Sequence, residues 1–186
     1  MSIKYAILGF LSWKPLSGYD LKKLFEDSAA FHWSGNNNQI YKALVELHNE
    51  AFVTLEVQQQ ADYPPRKIYT ITEKGQSALR QWVLSEPEQP QLKNDFFAQL
   101  AWADQLQADE LERLLQQYQD QVQVQMRMSQ ERKQRHKGTP QRTPRETYLW
   151  DMIMQNWVSF YENEVKWIQE LRKGLDEIET GGESES

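Results

Sequence analysis

The sequence contains no cysteine, so it offers neither a disulfide framework nor a thiolate metal site. Its three histidines, at positions 32, 48 and 136, stand far apart and share no metal-ligand spacing. It also has no phosphate-binding glycine loop and no nucleophile with a recognisable base partner. We therefore expect no metal, no cofactor and no catalytic residue, and we do not expect an enzyme.

Long hydrophobic runs are absent too, because no stretch approaches the roughly 20 apolar residues of a membrane span. The apolar run from Tyr5 to Trp13 is short, has no small-residue cleavage site and continues directly into Lys14 and Pro15, unlike a signal peptide. We interpret this run as the first helix of a folded domain. We expect a cytoplasmic protein without a membrane partner.

Positive charge is scarce, with 21 Lys and Arg against 27 Asp and Glu and a net charge of −6. The imbalance lies in the second half, because residues 1–85 carry nine basic and eight acidic side chains while the remainder carries twelve and nineteen. Only the first half can tolerate a phosphate backbone, and it must gather its cations on one face to do so.

The spacing of apolar residues predicts three short helices in the first fifty residues. The second helix begins at a capping box from Ser17 to Asp20, and the third ends near Ala51. The β-prone residues 52–57 and 68–71 then predict a hairpin, and Thr72 is a natural N-cap for a fourth helix. This order is typical of a winged helix-turn-helix.

Prolines 87 and 90 mark a linker, after which the apolar spacing is helical throughout. We predict a mainly α protein with a small β-hairpin and three parts. Residues 1–87 form a winged-helix DNA-binding domain, residues 88–179 a helical, coiled-coil-like dimerisation and effector domain, and residues 180–186 a disordered acidic tail. The final helix carries two adjacent apolar stripes, and one antiparallel neighbour cannot bury both, so we expect a homodimer.

The start of the third helix is crowded with amide side chains, which can pair with adenine edges in a major groove. The hairpin adds adjacent cations that can meet a phosphate. The alternatives are simple helix capping for the asparagines and a solvated turn for the cations, and we favour DNA contact over both. The predicted DNA-contacting residues are Asn36, Asn37, Asn38, Gln39, Tyr41, Lys42, Arg66 and Lys67.

This half of the chain resembles the PadR family of bacterial transcriptional regulators over nearly all of its first 84 residues. The resemblance rests on residues 7–11 and 15–21, Phe31 and Trp33, residues 39–41, 65–69 and 72–75, and Leu79 with Trp82. It implies that Tyr19 also lies on a DNA-contacting element, beside the Gln39, Tyr41, Lys42, Arg66 and Lys67 already named. The rest of the chain looks like the longer C-terminal domain shared with virulence activators, which implies a helical dimer interface.

Two residues depart from the family pattern. Ala51 stands where the family usually has a glycine, at a position expected to need a left-handed backbone, so the resemblance does not fix the exit of the third helix. Lys42 stands where many members have proline, which adds a cation and leaves the local helix geometry open.

The resemblance also implies a small effector, because family members are often released from DNA by phenolic or other flat apolar molecules. Aromatic residues of the second half provide candidates for a cavity between the helical arm and the winged helix. The alternative, which we favour, is that they form the dimer core, since aromatic stripes at helical spacing usually pack against helices. The residues in question are Phe96, Phe97, Trp102, Trp150, Trp157, Phe160 and Tyr161.

The leading hypothesis is a homodimeric repressor that binds a near-palindromic operator in double-stranded DNA, with half-sites about 34 Å apart. A different class of function also fits, namely a winged helix used as a protein-interaction module without specific DNA binding, and the net charge of −6 gives it some support. The sequence does not name the operator, the regulated gene or the effector.

Overall fold

The computed structural model describes residues 3–28, 37–59, 65–89, 94–135 and 142–182. They fall into two compact units, one up to Glu88 and one from Gln89 onward. Within these ranges no helix is long and apolar enough to cross a membrane. The predicted fold class, mainly helical with a small antiparallel sheet, is confirmed.

The N-terminal unit has the element order predicted for a winged helix, with one additional strand. Its elements are α1 (Ile3–Leu11), β1 (Leu16–Ser17), α2 (Gly18–Asp27), α3 (Asn37–Asn49), β2 (Val53–Gln58), β3 (Arg66–Ile71) and α4 (Glu73–Val83). The two-residue strand β1 was not predicted. It pairs antiparallel with β3, placing Leu16 opposite Tyr69, so the three strands lie in the order β1, β3, β2.

Two predicted helix caps are present in the N-terminal unit. The Ser17 hydroxyl accepts a hydrogen bond from the amide of Asp20, while the Asp20 carboxylate accepts one from the amide of Ser17. At α4 the Thr72 hydroxyl accepts from the amide of Gly75. A Cβ on Gly75 would lie 2.2 Å from the carbonyl oxygen of Phe52, so this helix start requires glycine.

The third helix ends in a left-handed turn at Ala51, whose φ is 58°. The amide of Phe52 donates to the Leu47 carbonyl at 2.9 Å, and that of Ala51 donates to the His48 carbonyl at 3.0 Å. These two bonds define a Schellman motif, which glycine normally completes because it has no Cβ. The turn therefore forms in this chain with alanine, in a backbone region that disfavours it.

The core of the N-terminal unit fixes which side of α3 faces outward. Ile40, Leu44 and Leu47 are almost completely buried against α1, α2 and β2. Edge-to-face contact of Phe10 with Phe25, 5.1 Å between ring centroids, ties α1 to α2 beneath them. As a result, Asn38, Gln39 and Lys42 lie on the exposed side of α3, together with Tyr41.

The C-terminal unit consists of α5 (Asp95–Ala101), a short 3₁₀ turn at Ala103–Gln105, α6 (Ala108–Arg135) and α7 (Pro144–Gly182). Arg172 of α7 pairs with Glu112 near the start of α6, and Gln155 of α7 accepts a hydrogen bond from Lys133 near its end. The two long helices are therefore antiparallel.

Among the residues that the structure describes, only one of the two apolar stripes of α7 is buried. Val158, Tyr161 and Ile168 are at most 9% exposed, whereas Leu149 and Ile153 are 54% and 41% exposed. Residues 143–146, at the start of α7, have the sequence pattern of a capping box, and the described structure forms one half of it. The Thr143 hydroxyl does accept from the Glu146 amide, but the Glu146 carboxylate binds Arg142, because a guanidinium is a stronger donor than a neutral amide.

α7 extends to Gly182 and so includes residues 180–182, the first three residues of the predicted acidic tail. Helix propagation adds one hydrogen bond for each residue fixed, so a long helix can extend into residues of low helix propensity. Residues 183–186 of the predicted tail lie outside the described ranges.

Candidate functional site

One concave surface of the N-terminal unit brings together four of the predicted DNA-contacting residues, Tyr19, Tyr41, Arg66 and Lys67. It is formed by the start of α2, the exposed side of α3 and the start of β3, and it encloses about 940 Å³. We call it the recognition surface. Its elements come from distant parts of the sequence and are held together by the shared core.

The Tyr41 ring lies directly against the first residue of α2. A Cβ on Gly18 would be 2.5 Å from Cε1 of Tyr41, so only glycine permits this contact. Tyr69 lies beneath the same surface and is buried, and burial raises the pKa of its hydroxyl, with a smaller contribution from Tyr41. The position of Tyr41 is therefore determined by packing.

Arg66 is anchored by Asp20. One guanidinium nitrogen lies 2.6 Å from Oδ2 of Asp20, and the same oxygen accepts hydrogen bonds from the amide and hydroxyl of Ser17. Burial raises the pKa of Asp20, but the hydrogen bonds from Ser17 and the hydrogen bond and charge of Arg66 outweigh it, so the pKa is lowered overall. Asp20 thus stays ionised while it holds the cation.

The remaining cations of the recognition surface and its surroundings are more accessible. Lys42 and Lys67 are exposed, and neither makes an ion pair with another residue that the structure describes. Lys23 lies over the Tyr19 ring, 4.9 Å from its centroid, in a cation–π contact. Several positively charged side chains therefore surround the tyrosines of the recognition surface, where they can contact a polyanion.

The amide residues predicted to read bases fall at the start of α3. Asn37 is its first residue, and Asn38 and Gln39 are exposed in its first turn. Asn36 lies outside the described residues. Sequence reasoning identified Asp20 only as a cap and did not find its ion pair with Arg66, because no local pattern links residues 46 positions apart.

A second cavity, of about 810 Å³, lies within the C-terminal unit between α5, α6 and α7. Four of the seven predicted aromatic residues line it, namely Phe97, Trp157, Phe160 and Tyr161. The other three do not. Phe96 is buried against Tyr118 with ring centroids 3.8 Å apart, Trp102 is 73% exposed, and Trp150 lies on α7 outside the lining.

This second cavity, which we call the ligand cavity, also contains a polar group that the sequence did not predict. The Tyr118 hydroxyl donates to Oε2 of Glu164 at 2.5 Å and accepts from Nδ2 of Asn94 at 2.9 Å. Burial, followed by the hydrogen bond to Glu164, raises the pKa of Tyr118 to about 12. The only available signal was the helical spacing of Tyr118 along the apolar seam of α6, which indicates packing rather than a polar network.

Two family models match the chain. Residues 7–81 match the transcriptional regulator PadR-like family, and residues 92–176 match the virulence activator alpha C-term domain. Among individual relatives, the negative transcriptional regulator PadR of Bacillus subtilis is 36% identical over 95 residues, covering 51% of this chain and 52% of the relative. A probable transcriptional regulator of Mycobacterium tuberculosis is 32% identical over 90 residues, 48% of this chain and 47% of that protein. The matched segments therefore span about half the length of these relatives.

Solved structures share the fold over nearly the whole chain. Bacillus subtilis PadR in complex with operator DNA has a TM-score of 0.77 and 24% identity, covering 91% of this chain and 95% of that one. The same protein in complex with p-coumaric acid has a TM-score of 0.75 and 24% identity, covering 94% and 98%. The Vibrio cholerae virulence activator AphA has a TM-score of 0.70 and 24% identity, covering 95% and 99%.

Proposed function

The chain belongs to the PadR-like family of transcriptional regulators, with a virulence activator alpha C-terminal domain after its winged helix, and we propose that it is a homodimeric repressor released from its operator by a small aromatic effector. The family resemblance inferred from the sequence is thereby confirmed. Such a repressor acts where the chromosome lies, so we also propose a cytoplasmic location.

The recognition surface carries this proposal. It brings Tyr19, Tyr41, Arg66 and Lys67 from three elements onto one concave face, and Asn38 and Gln39 are exposed at the start of α3, which suits an α-helix in a major groove and cations on the flanking phosphates. The surface also lies in residues 1–85, the half of this acidic chain in which basic side chains are not outnumbered. Bacillus subtilis PadR, which shares the fold, has been solved with operator DNA.

The exposed stripe of α7 supports a homodimer. Tyr148, Leu149, Met152 and Ile153 are 41% to 63% exposed, which is unusual for four large apolar side chains on neighbouring positions of one helix. A second copy of the chain can bury this stripe, as the sequence led us to expect. Two winged helices would then read two half-sites about 34 Å apart.

The cavity of the C-terminal unit supports an effector. Its volume of about 810 Å³ and its aromatic lining suit a flat molecule of drug-like size. Bacillus subtilis PadR has been solved with p-coumaric acid, a flat aromatic molecule. An effector can release DNA only by binding the DNA-incompetent arrangement more tightly than the DNA-bound one.

The decisive experiment is selection of duplexes from random DNA, followed by footprinting and a salt titration. We expect a near-palindromic site whose two halves are both protected, and an affinity that falls steeply between about 50 and 200 mM salt. A protein-interaction module would select no sequence and would show a shallow salt dependence. Protection of a single half-site would contradict the dimeric arrangement.

A further inference from the structure

The ligand cavity has a wall of three aromatic rings that suits a cation as well as a flat ring. Trp157 and Phe160 are almost perpendicular, with centroids 6.2 Å apart, and Phe160 meets Tyr161 at 75° and 5.2 Å. An aromatic ring is electron-rich on its faces and positive at its edge, so a ring face that borders the cavity attracts a cation. Such arrangements are typical of sites that bind organic ammonium groups.

The charged side chains of the lining are acidic. Asp120 and Glu164 both line the cavity, and no Lys, Arg or His is among the lining residues that the structure describes. Tyr118 donates to Oε2 of Glu164, and this half-buried carboxylate keeps further lone pairs with which it can accept from a ligand. A ligand carboxylate placed here would face a carboxylate of the same sign.

One positively charged residue, Arg132, affects the hydroxyl of a lining residue, Tyr161. Arg132 lowers the pKa of the Tyr161 hydroxyl through its charge, but burial has the larger effect and raises that pKa overall. Arg132 is not part of the lining. Among the described residues that line the cavity, Glu164 therefore has no positively charged neighbour.

From these observations we propose that the cavity takes an aromatic cation, a flat ring system bearing a protonated amine, and disfavours an aromatic acid. The ring would stack among Trp157, Phe160 and Tyr161, and the ammonium group would bind Glu164, while the exposed Asp120, which accepts a hydrogen bond from Gln116, would add negative charge. The ligand class follows from the cavity alone, while its role as an effector rests on the function proposed above. This preference is opposite in charge to the p-coumaric acid found with the Bacillus subtilis relative.

Three indoles that differ only at the end of one side chain test the proposal. Tryptamine carries an ammonium group, indole-3-propionate carries a carboxylate, and 3-ethylindole is neutral. Isothermal titration calorimetry on the full-length protein should show saturable tryptamine binding that is at least roughly tenfold tighter than that of indole-3-propionate, with 3-ethylindole between them. Equal or tighter binding of the acid would overturn the proposal, as would the absence of binding by all three up to millimolar concentration.

Glu164→Gln removes the charge and keeps a carbonyl oxygen to accept from Tyr118, so it separates electrostatics from packing. We expect roughly tenfold weaker tryptamine binding and unchanged 3-ethylindole binding. Glu170→Gln, which removes an exposed carboxylate elsewhere on α7, should change neither. If Glu164→Gln does not fold, the exposed Asp120→Asn should lower tryptamine affinity in the same direction. Unaltered selectivity in the folded variants would refute the assignment.

A parallel operator-binding assay separates this inference from the proposed function. Tryptamine binding that prefers the cation but leaves operator affinity unchanged would support the ligand class and contradict the effector role. Release of operator DNA by indole-3-propionate, with no response to tryptamine, would support an effector and overturn the cation preference.

Discussion

A guanidinium nitrogen of Arg66 lies 2.6 Å from Oδ2 of Asp20, and this ion pair joins the first residue of β3 to the first turn of α2. The same carboxylate oxygen completes the helix cap at Ser17. One atom therefore positions both a helix start and a cation of the recognition surface. We expect the two features to respond together to any change at this carboxylate.

Asp20→Asn should make the stability of the N-terminal unit less dependent on pH in the acidic range. The folded pKa of Asp20 is lowered from its usual 3.8, so its stabilisation is full above that value and is lost as the pH falls through 3.8 and below. The variant should lose about 1 kcal/mol or less near neutral pH, because both side chains are partly exposed. Thermal melts from about pH 6 to pH 2.5 should converge with those of the native protein at the acid end. Asp27→Asn, at the exposed end of α2, is the control, and parallel curves for Asp20→Asn would contradict the assignment.

Ala51→Gly should stabilise the protein. Ala51 has φ 58°, where a Cβ is unfavourable, and glycine removes the conflict while keeping the Schellman hydrogen bonds. We expect a gain of about 1 kcal/mol, reduced by the greater freedom of glycine in the unfolded chain. Urea denaturation measures it. Ala78→Gly, within α4, should instead destabilise by about the same amount, and a loss at both positions would refute the strain argument.

Gly18→Ala should weaken operator binding by displacing Tyr41. The new Cβ would lie 2.5 Å from Cε1 of a ring that is 49% exposed, so the ring can swing away at little cost in stability. We expect operator affinity to fall several-fold, within the roughly 1 to 3 kcal/mol typical of a lost DNA contact. In a Tyr41→Ala background the same change should have no further effect, which a double-mutant cycle measures. Additive losses would show that Gly18 acts through another residue.

Asn37→Ala and Lys67→Ala should affect DNA binding in different ways. Asn37 begins the helix proposed to enter the major groove, and its removal should cost about 1 to 3 kcal/mol at one base pair and relax the preference there. Lys67 is an exposed cation, and its removal should weaken all sequences alike and reduce the salt slope by about one. Binding to a panel of single-base operator variants distinguishes the two. If Asn37→Ala changes neither affinity nor preference, Gln39 is the next candidate.

Leu149→Asp should disrupt the dimer without unfolding the monomer. Leu149 is 54% exposed on the stripe of α7 that no other part of the described chain covers. A charge in a buried apolar interface costs several kcal/mol, so light scattering should show monomers at micromolar concentration. Gln169→Asp places the same charge on an exposed position of the same helix and should leave the dimer intact. Dimers that persist in Leu149→Asp would assign the interface to another face.

The sequence predicted the elements whose signals are local. The Ser17 and Thr72 caps are set by hydroxyls three residues from their donors, and the buried side of α3 follows from helical spacing. The strand β1 could not be predicted in this way, because a segment of two residues has no detectable periodicity. Leu16 and Ser17 form a strand only because they pair with β3, where Leu16 lies opposite Tyr69. Its existence depends on the tertiary fold.

The same distinction applies to the sites. Residue type and position in a motif identified Tyr41 and Arg66, but the partner of Arg66 is set by the packing of α2 against the sheet. In the C-terminal unit, aromatic content predicted part of the cavity lining and missed Glu164, because a glutamate in an acidic helical half looks like a solubilising residue. Only its hydrogen bond with Tyr118 distinguishes it from its neighbours.

The edge occupied by β1 also bears on how the sheet avoids pairing edge to edge with a second sheet. Because β1 covers one side of β3, the open edges of the sheet are a strand of two residues and the six-residue β2. A strand of two residues is too short to recruit another chain, and β2 carries the exposed Glu56 near its centre. Antiparallel addition of a second β2 about that residue would bring two carboxylates face to face. The hairpin of β2 and β3 can therefore be exposed to solvent and accessible to DNA without serving as a template for aggregation.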